Sequence, residues 1–284
     1  MPSMRKARFV SVATSVVACV VLILGGVLQI TQQLAYLSIF LTLVGGIGIL
    51  MGFSLYLFQN TRTHVDRIER QLLAVEAAIT LSKMLEGRPV FFGRHAVAPD
   101  FVQLVAEIIR RRNVVAALEL GSGTTTHYLA ALLPPAQNGG YLLSVEESPA
   151  WTRLVGAEID ASKTDQRAKV ELLCAPLVHE AGMNLSFYDL ETIKAKPDWQ
   201  GRFDLLVVDG PSDVRSRRIA YSMLKPLLSD AAVIVLDDGD HPYVRETVRV
   251  WLSREPFFRC KYYQTVKGTW VIYHADNCDG LPLP

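Results

Sequence analysis

Two long apolar runs open the chain, and after them the hydrophobic positions change period. From Phe9 to Thr61 no Asp, Glu, Lys, Arg or His interrupts the sequence. A helix that crosses a bilayer needs roughly 20 apolar residues, because only a helix satisfies its own backbone polar groups in lipid. The runs Phe9 to Ile30 and Leu34 to Phe58 both meet that need, and the uncharged polar residues Thr31, Gln32 and Gln33 separate them. The pattern predicts a transmembrane helical hairpin over residues 1–61. A cleaved signal peptide is the alternative for the first run, but no small-residue cleavage site stands out and the second run follows at once. Gly25 and Gly26 in one run, and Gly45, Gly46, Gly48 and Gly52 in the other, either permit close helix approach or are simply tolerated.

Charge decides the orientation. Arg5, Lys6 and Arg8 precede the first run, and Arg62, Arg67 and Arg70 follow the second. The excess of cations on the cytoplasmic side of membrane proteins then puts both flanks, and everything after them, on the cytoplasmic face of the cell inner membrane. Between Thr63 and Leu85 the residues Val65, Ile68, Leu72, Val75 and Ile79 recur at alternating spacings of three and four. That period predicts an amphipathic linker helix over 62–90, which either leans on its own domain or the membrane surface, or pairs with further copies as a homo-oligomer.

From residue 91 onward short β-branched runs alternate with helical patterns. A helix follows Pro99, with Asp100 as its cap, Phe101, Leu104, Val105, Ile108 and Ile109 on one face, and Arg110, Arg111 and Arg112 at its C-terminal end. Strands are expected at Val114 to Leu120, Tyr141 to Val145, Val170 to Cys174, Phe203 to Val208 and Ala231 to Leu236. Helices are expected at Thr124 to Leu133, after Ser148 and Pro149, near Arg217 to Leu228, and after Pro242. Such repetition demands a parallel sheet covered on both faces, an α/β, Rossmann-like fold over 91–284. Two last runs, Phe257 to Thr265 and Thr269 to His274, join through Lys267 and Gly268 as an antiparallel hairpin.

Composition narrows the partners. With 29 Lys and Arg against 28 Asp and Glu, and no basic stripe with interleaved aromatics, the footprint of a nucleic-acid binder is missing. Cys19, Cys174, Cys260 and Cys278 lie far apart, which argues against a zinc site or a disulfide framework. Cys174 and Cys260 read as buried core residues in a reducing compartment.

The chemistry gathers where strands end. Glu119, Leu120, Gly121, Ser122, Gly123 and Thr124 join the first strand of the domain to its helix, the place where a doubly wound sheet binds its nucleotide. A dinucleotide loop would want a third glycine at position 126, but Thr126 stands there, which disfavours an NAD-dependent oxidoreductase or epimerase. Glu146 closes the second strand, where a carboxylate can accept both ribose hydroxyl protons, and Glu147 beside it is expected to face solvent. Ala175, Pro176 and Leu177 follow the third strand. Asp209, Gly210, Pro211 and Ser212 follow the fourth, and Asp237, Asp238, Gly239, Asp240 and His241 follow the fifth. Three carboxylates meeting on one rim call for compensation by a cation or by hydrogen bonds. Either Asp209, Asp237 and Asp238 hold a divalent metal such as Mg²⁺, or one meets the cofactor and the others cap the next helix. His241 is a candidate general base, or a helix-capping or surface histidine.

These residues resemble class I S-adenosylmethionine-dependent methyltransferases, through an E-L-G-S-G loop, an acid closing the second strand, a D-G-P turn and a D-D turn in that order. The five parallel strands and terminal hairpin match the same family, whose last strand inserts antiparallel beside the fifth. The resemblance implies S-adenosylmethionine as cofactor, held by Glu119 at its ammonium group, by Gly121, Ser122, Gly123 and Thr124 along its methionine part, by Glu146 at the ribose, and by Pro176 and Leu177 near the adenine, with Asp209 at the cofactor as well. The acidic set is similar to that of metal-dependent O-methyltransferases, which implies catalytic roles for Asp209, Asp238 and His241. Such enzymes of the macrolide-sugar type carry a histidine where Ser212 stands here. A small-molecule, sugar or lipid-linked methyl acceptor is the implied substrate, and a membrane scaffold that has lost catalysis is the competing reading.

Overall fold

The computed structural model describes residues 2–28, 35–84, 96–161, 168–180, 182, 184–195, 202–277 and 279–282. The expected turn at Thr31, Gln32 and Gln33, residues 85–95 of the linker and lead-in, and Cys278 lie outside the described residues. The chain divides into two compact units, Met1–Glu69 and Arg70–Pro284.

The first unit is two helices, α1 (Pro2–Leu28) and the first part of α2 (Ala35–Met84). They pack antiparallel. The Ser11 hydroxyl donates to the Gly52 carbonyl at 3.0 Å, and the Ser38 hydroxyl donates to the Gly25 carbonyl. A Cβ on Gly45 would stand 2.6 Å from Leu22 Cγ, and one on Gly52 would stand 2.9 Å from Ser15 Oγ, so these glycines serve close approach. Gly26 and Gly46 meet nothing and are merely tolerated. Ser38–Met84 is long and apolar enough to cross a membrane; among the described residues the apolar stretch of α1, Ser11–Gly26, is shorter.

The second unit begins within α2, which continues without a break through the linker pattern to Met84. It then contains α3 (Pro99–Arg112), β1 (Ala116–Leu120), α4 (Thr124–Leu132), β2 (Tyr141–Glu146), α5 (Pro149–Ala161), β3 (Lys169–Cys174), β4 (Leu177–Glu180) and β5 (Leu185–Tyr188). There follow α6 (Leu190–Lys194), β6 (Phe203–Val208), α7 (Ala220–Leu224), β7 (Leu228–Leu236), α8 (Pro242–Arg254), β8 (Phe258–Tyr263) and β9 (Thr269–His274). Seven strands form one sheet in the order β3-β2-β1-β6-β7-β9-β8. The first five are parallel, and β9 runs antiparallel between β7 and β8. This is the Rossmann-like order expected of the class I methyltransferase fold.

Alternate residues of each central strand feed opposite layers. Leu205 and Val207 join the core under α3, α4 and α5, while Leu206 and Val208 join the core under α8. Burial on both faces explains why these strands read as unbroken apolar runs. Each such side chain stabilises the fold by about 1.5–3 kcal/mol through its removal from water.

Several local expectations need correction. The cap of α3 is Ala98, with Pro99 opening the helix, and Asp100 instead accepts the Val266 N–H at 2.7 Å. The stretch near Arg217 is not one helix but a 3-10 turn over Ser216–Ile219, then α7, then a second turn over Lys225–Leu227 that Pro226 enforces. The β4–β5 pair forms a small antiparallel sheet of its own. Cys174 and Cys260 are half-buried rather than buried. Within the second unit the linker helix leans on its domain through Ala74, Ala77 and Leu81, Leu81 joining the domain core, while Leu72, Val75 and Ile79 are exposed.

Candidate active site at the carboxyl edge of the sheet

Chain order reverses between β1 and β6, so the helices that follow them leave to opposite faces and open a crevice at their carboxyl ends. Two glycines allow the strands' exits to close on each other. Gly121 has φ +92°, and a Cβ there would stand 3.0 Å from the Gly210 nitrogen. The amides of both Asp209 and Gly210 donate to the Leu120 carbonyl, at 3.0 and 2.7 Å.

Glu119 lies beneath this loop, fully buried. Its Oε2 accepts from Ser144 Oγ at 2.5 Å and from Thr126 Oγ1 at 2.6 Å. Each hydroxyl has one proton to give, which fixes the rest of the network. Ser144, having spent its proton on Glu119, accepts from Ser122 Oγ at 2.7 Å, and Thr126 accepts the Gly123 N–H at 2.8 Å. Glu119 thus sets the shape of the Gly121–Thr124 loop through two intermediaries. Its other oxygen, Oε1, is buried with no hydrogen-bond partner. Burial pushes the carboxyl up to about 8 against the pull of its two hydroxyl donors, with Asp209 and Glu146 raising it further.

Glu146 ends β2 next to the loop. Its Oε2 accepts the Ser122 N–H at 3.2 Å and its Oε1 accepts the Ser148 N–H at 2.9 Å. Burial raises its pKa and the amides oppose the rise. Trp151, on α5, donates its indole N–H to the Ser122 carbonyl at 2.6 Å and so lies along the loop. Glu147 is half-buried: its Oε1 accepts from Ser212 Oγ at 2.6 Å in an exposed hydrogen bond, while its Oε2 is buried without a partner. Pro176 and Leu177 follow β3, whose last residue pairs with Glu146, and Leu177 opens β4.

Asp209, Asp237 and Asp238 come together as expected, with one carboxylate oxygen of each within 4.8 Å of the others. Asp237 is fully buried, with Oδ1 unpartnered, and is pushed up to about 8 by burial and by its two acidic neighbours. Asp238 takes φ +56° to turn the chain and is partly exposed, like Asp209. Two cations that the sequence pattern did not point to stand among them. Arg217, nearly buried, donates to Asp238 Oδ2 at 2.9 Å, to the Asp209 carbonyl and, at 3.3 Å, to the Pro211 carbonyl. Lys267 reaches in from the β8–β9 turn, 3.5 Å from Asp237 and 3.7 Å from Asp238. Burial lowers the Lys267 pKa, and the three carboxylates more than offset that, so it is held charged.

His241 stands in the same turn, its N–H donating to the Asp238 carbonyl at 2.8 Å. It caps α8, where its Nδ1 accepts the Tyr243 N–H at 3.3 Å, and it is exposed. The capping role is the one the structure bears out. Tyr188, at the end of β5, was not anticipated; it is buried under Gly210, where its hydroxyl leaves no room for a Cβ.

Residues 118–239 match a family model described as a methyltransferase domain. No curated protein sequence matches the chain. Among solved structures the chain is similar to an O-methyltransferase from Bacillus cereus in complex with SAH, at 16% identity and TM-score 0.48, over 71% of this chain and 90% of that one. It is also similar to the O-methyltransferase TomG from Streptomyces achromogenes, involved in tomaymycin synthesis and solved with SAM, at 18% identity and TM-score 0.46, over 71% and 89% of the two chains. The matched region runs from β1 to the D-D turn, and an antiparallel last strand stands beside the fifth parallel one, so residues 118–239 are similar to a methyltransferase domain and lie in a Rossmann-like sheet.

Proposed function

We propose that the chain is a membrane-anchored O-methyltransferase that uses S-adenosylmethionine to methylate a hydroxyl of a small-molecule, sugar or lipid-linked acceptor at the cytoplasmic face of the membrane. The observation that carries the cofactor assignment is the buried, unpartnered Oε1 of Glu119 at the glycine loop. A buried acceptor without a donor is costly, and a ligand ammonium group would satisfy it. Gly121, Ser122, Gly123 and Thr124 then follow the methionine part, Glu146 takes the ribose hydroxyls, and Asp209 with Pro176 and Leu177 borders the remainder. Equilibrium binding of S-adenosylmethionine, S-adenosylhomocysteine and NAD tests the assignment; preference for NAD would end it.

The cofactor supplies the transferable methyl group. The chain's own residues hold the acceptor oxygen in line with the carbon–sulfur bond, exclude water and accept the hydroxyl proton. Asp209 and Asp238 are the partly exposed carboxylates of the acidic set, so one of them is the proton acceptor, whereas His241 is committed to capping α8. Hard oxygen donors and a net negative set suit Mg²⁺, with Asp209, Asp237 and Asp238 as ligands; the ion would lower the acceptor hydroxyl's pKa. A second reading has support in the 2.9 Å contact of Arg217 with Asp238: Arg217 and Lys267 compensate the carboxylates without an ion.

The membrane reading rests on the apolar length of Ser38–Met84, on the outward-facing apolar side chains of the first unit, such as Val12, Ile23, Leu43 and Phe53, and on the cations at Arg5, Lys6, Arg8, Arg62, Arg67 and Arg70. Fractionation of cells producing the full chain, with protease protection of intact vesicles, tests both attachment and sidedness.

A further inference from the structure

We propose that Tyr188 and Glu147 are cofactor-binding residues, a second polar grip that engages the nucleoside of S-adenosylmethionine from the wall opposite the glycine loop. The inference rests on the S-adenosylmethionine reading and adds two residues to it. Consecutive carboxylates at the end of β2 turn to opposite sides of the crevice. Glu146 accepts from the Ser122 amide in the glycine loop at 3.2 Å, and Glu147 accepts from the Ser212 hydroxyl beyond the D-G-P turn at 2.6 Å. Because β1 lies between β2 and β6, the Glu147–Ser212 bond links the exits of the strands on either side of it.

Tyr188 reaches the same wall from β5. Its strand pairs with β4 so that Tyr188 stands opposite Leu177, and the next amide, that of Asp189, donates to the Pro176 carbonyl at 2.9 Å. The backbone of Tyr188 is thereby fixed beside the two residues that border the adenine in the cofactor reading. A Cβ built on Gly210 would lie 2.1 Å from the Tyr188 hydroxyl and 2.9 Å from the Gly121 nitrogen, so hydroxyl, D-G-P turn and glycine loop meet at one point of the crevice. Each residue of the pair keeps one polar atom unused. Tyr188 is 1% exposed, and among the described residues its hydroxyl makes no hydrogen bond. Glu147 Oε2 is buried without a partner. Burial, with Glu146 and Glu147 nearby, holds the phenol well above the usual tyrosine pKa, so it stays a donor, while the carboxylate oxygen is an acceptor. An unmade buried donor beside an unmade buried acceptor is costly, and a ligand that offers both an acceptor and a donor satisfies the two together. The nucleoside has two places of that kind: the ribose hydroxyls, and the adenine edge, where an amino donor stands beside a ring-nitrogen acceptor.

Calorimetric titration of the full chain with S-adenosylhomocysteine, together with thermal melts in its presence and absence, tests the grip. Tyr188→Phe removes only a hydroxyl that has no partner, so the ligand-free melting temperature should not fall, while affinity should drop about twofold to tenfold. Glu147→Gln replaces a charged acceptor by a neutral amide of the same shape and should weaken binding about tenfold. Titration with S-inosylhomocysteine, whose base lacks the amino group, and with the dideoxyribose analogue of S-adenosylhomocysteine then assigns the contact: the loss caused by Glu147→Gln should disappear with the analogue that lacks the contacted donor. Wild-type affinity in either variant, a lower ligand-free melting temperature in Tyr188→Phe, or a Glu147→Gln loss that persists with both analogues overturns the proposal and leaves the cofactor assignment standing. A wild-type chain that melts cooperatively but does not bind S-adenosylhomocysteine sinks the cofactor assignment, and the grip with it.

Discussion

Arg70 Nη1 donates to Asp240 Oδ2 at 2.8 Å, tying the last third of α2 to the acidic turn that follows β7. Asp240 also accepts from Tyr262 Oη at 2.8 Å and from Arg245 Nη2 at 3.1 Å. The same Arg70 nitrogen reaches the Thr265 carbonyl at 3.3 Å, in the turn that delivers Lys267. Gly239 and Gly268 close this arrangement backbone to backbone, the Gly239 N–H donating to the Gly268 carbonyl at 2.7 Å. The two turns behind Asp237, Asp238 and Lys267 are thus fastened together, and Arg70 fastens the helix to both.

Because the Arg70–Asp240 pair is partly exposed, its loss should cost about 1 kcal/mol of stability or less. The effect on rate should be larger than the effect on stability, since a small displacement of reacting groups costs far more in turnover. Arg70→Ala should leave the melting temperature nearly unchanged and lower labelled methyl transfer to membrane extract by roughly tenfold to a hundredfold. Unchanged turnover would mean that the turn holds its shape through Tyr262 and Arg245 alone.

Glu119 supplies a pH signature. Its carboxyl titrates near 8 in the folded chain against 4.5 ordinarily, so between those values the folded state holds a proton that the unfolded state has released. Its contribution to stability is therefore greatest at low pH and is lost progressively as pH rises from about 5 to 8. Glu119→Gln, which keeps the shape and abolishes the titration, should flatten that part of the melting-temperature profile. Binding of the cofactor's ammonium favours the ionised form, so wild-type affinity should rise from pH 6 to pH 8 with proton release. A Gln variant that binds S-adenosylmethionine as tightly as wild type would remove Glu119 from the site.

Glu146 holds two loop amides and, in the proposed complex, two ribose hydroxyls. A hydrogen bond to a charged group contributes roughly 1.5–3 kcal/mol. Glu146→Ala should weaken adenosyl-ligand binding by about tenfold to a thousandfold, measured by calorimetry. Glu146→Gln, whose single amide oxygen can accept from only one of the Ser122 and Ser148 N–H groups, should lower the melting temperature slightly and lose part of the affinity.

Much of this site could be read from the chain before any fold was known, and the omissions have a common cause. The parallel strands were legible because burial on both faces makes them continuously apolar, and strand ends carry the ligand-facing residues in this topology. Glu119, Gly121, Glu146, Asp209, Asp237 and Asp238 could therefore be placed by position alone. Arg217 and Lys267 could not, because both act through tertiary contact from turns without periodicity. For Lys267 a signal did exist: once β9 is antiparallel beside β7, the turn before it must lie at the carboxyl edge, next to Asp237. The β4–β5 pair was missed because each strand has only four residues. The pattern 65-68-72-75-79 was legible as a helix face, but which face the domain covers depends on Ala74, Ala77 and Leu81, and small residues give little amphipathic signal.

The acidic cluster yields the last prediction, because its charge must be compensated by something. Arg217 is nearly buried, and removing one partner from a buried pair costs about 3–5 kcal/mol by leaving the other charge alone. Arg217→Met should therefore destabilise the domain by about that amount, an effect visible as a lower melting temperature at neutral pH. If Asp209, Asp237 and Asp238 also hold Mg²⁺, added Mg²⁺ should raise the melting temperature of the wild type and excess chelator should lower methyl transfer. Asp237→Asn, which removes a charge but little volume, should abolish the Mg²⁺ response while keeping the fold, because a buried neutral amide replaces a carboxyl already pushed up to about 8. Turnover that survives excess chelator unchanged would assign the compensation wholly to Arg217 and Lys267, and would leave the proton transfer to Asp209 or Asp238 without an ion.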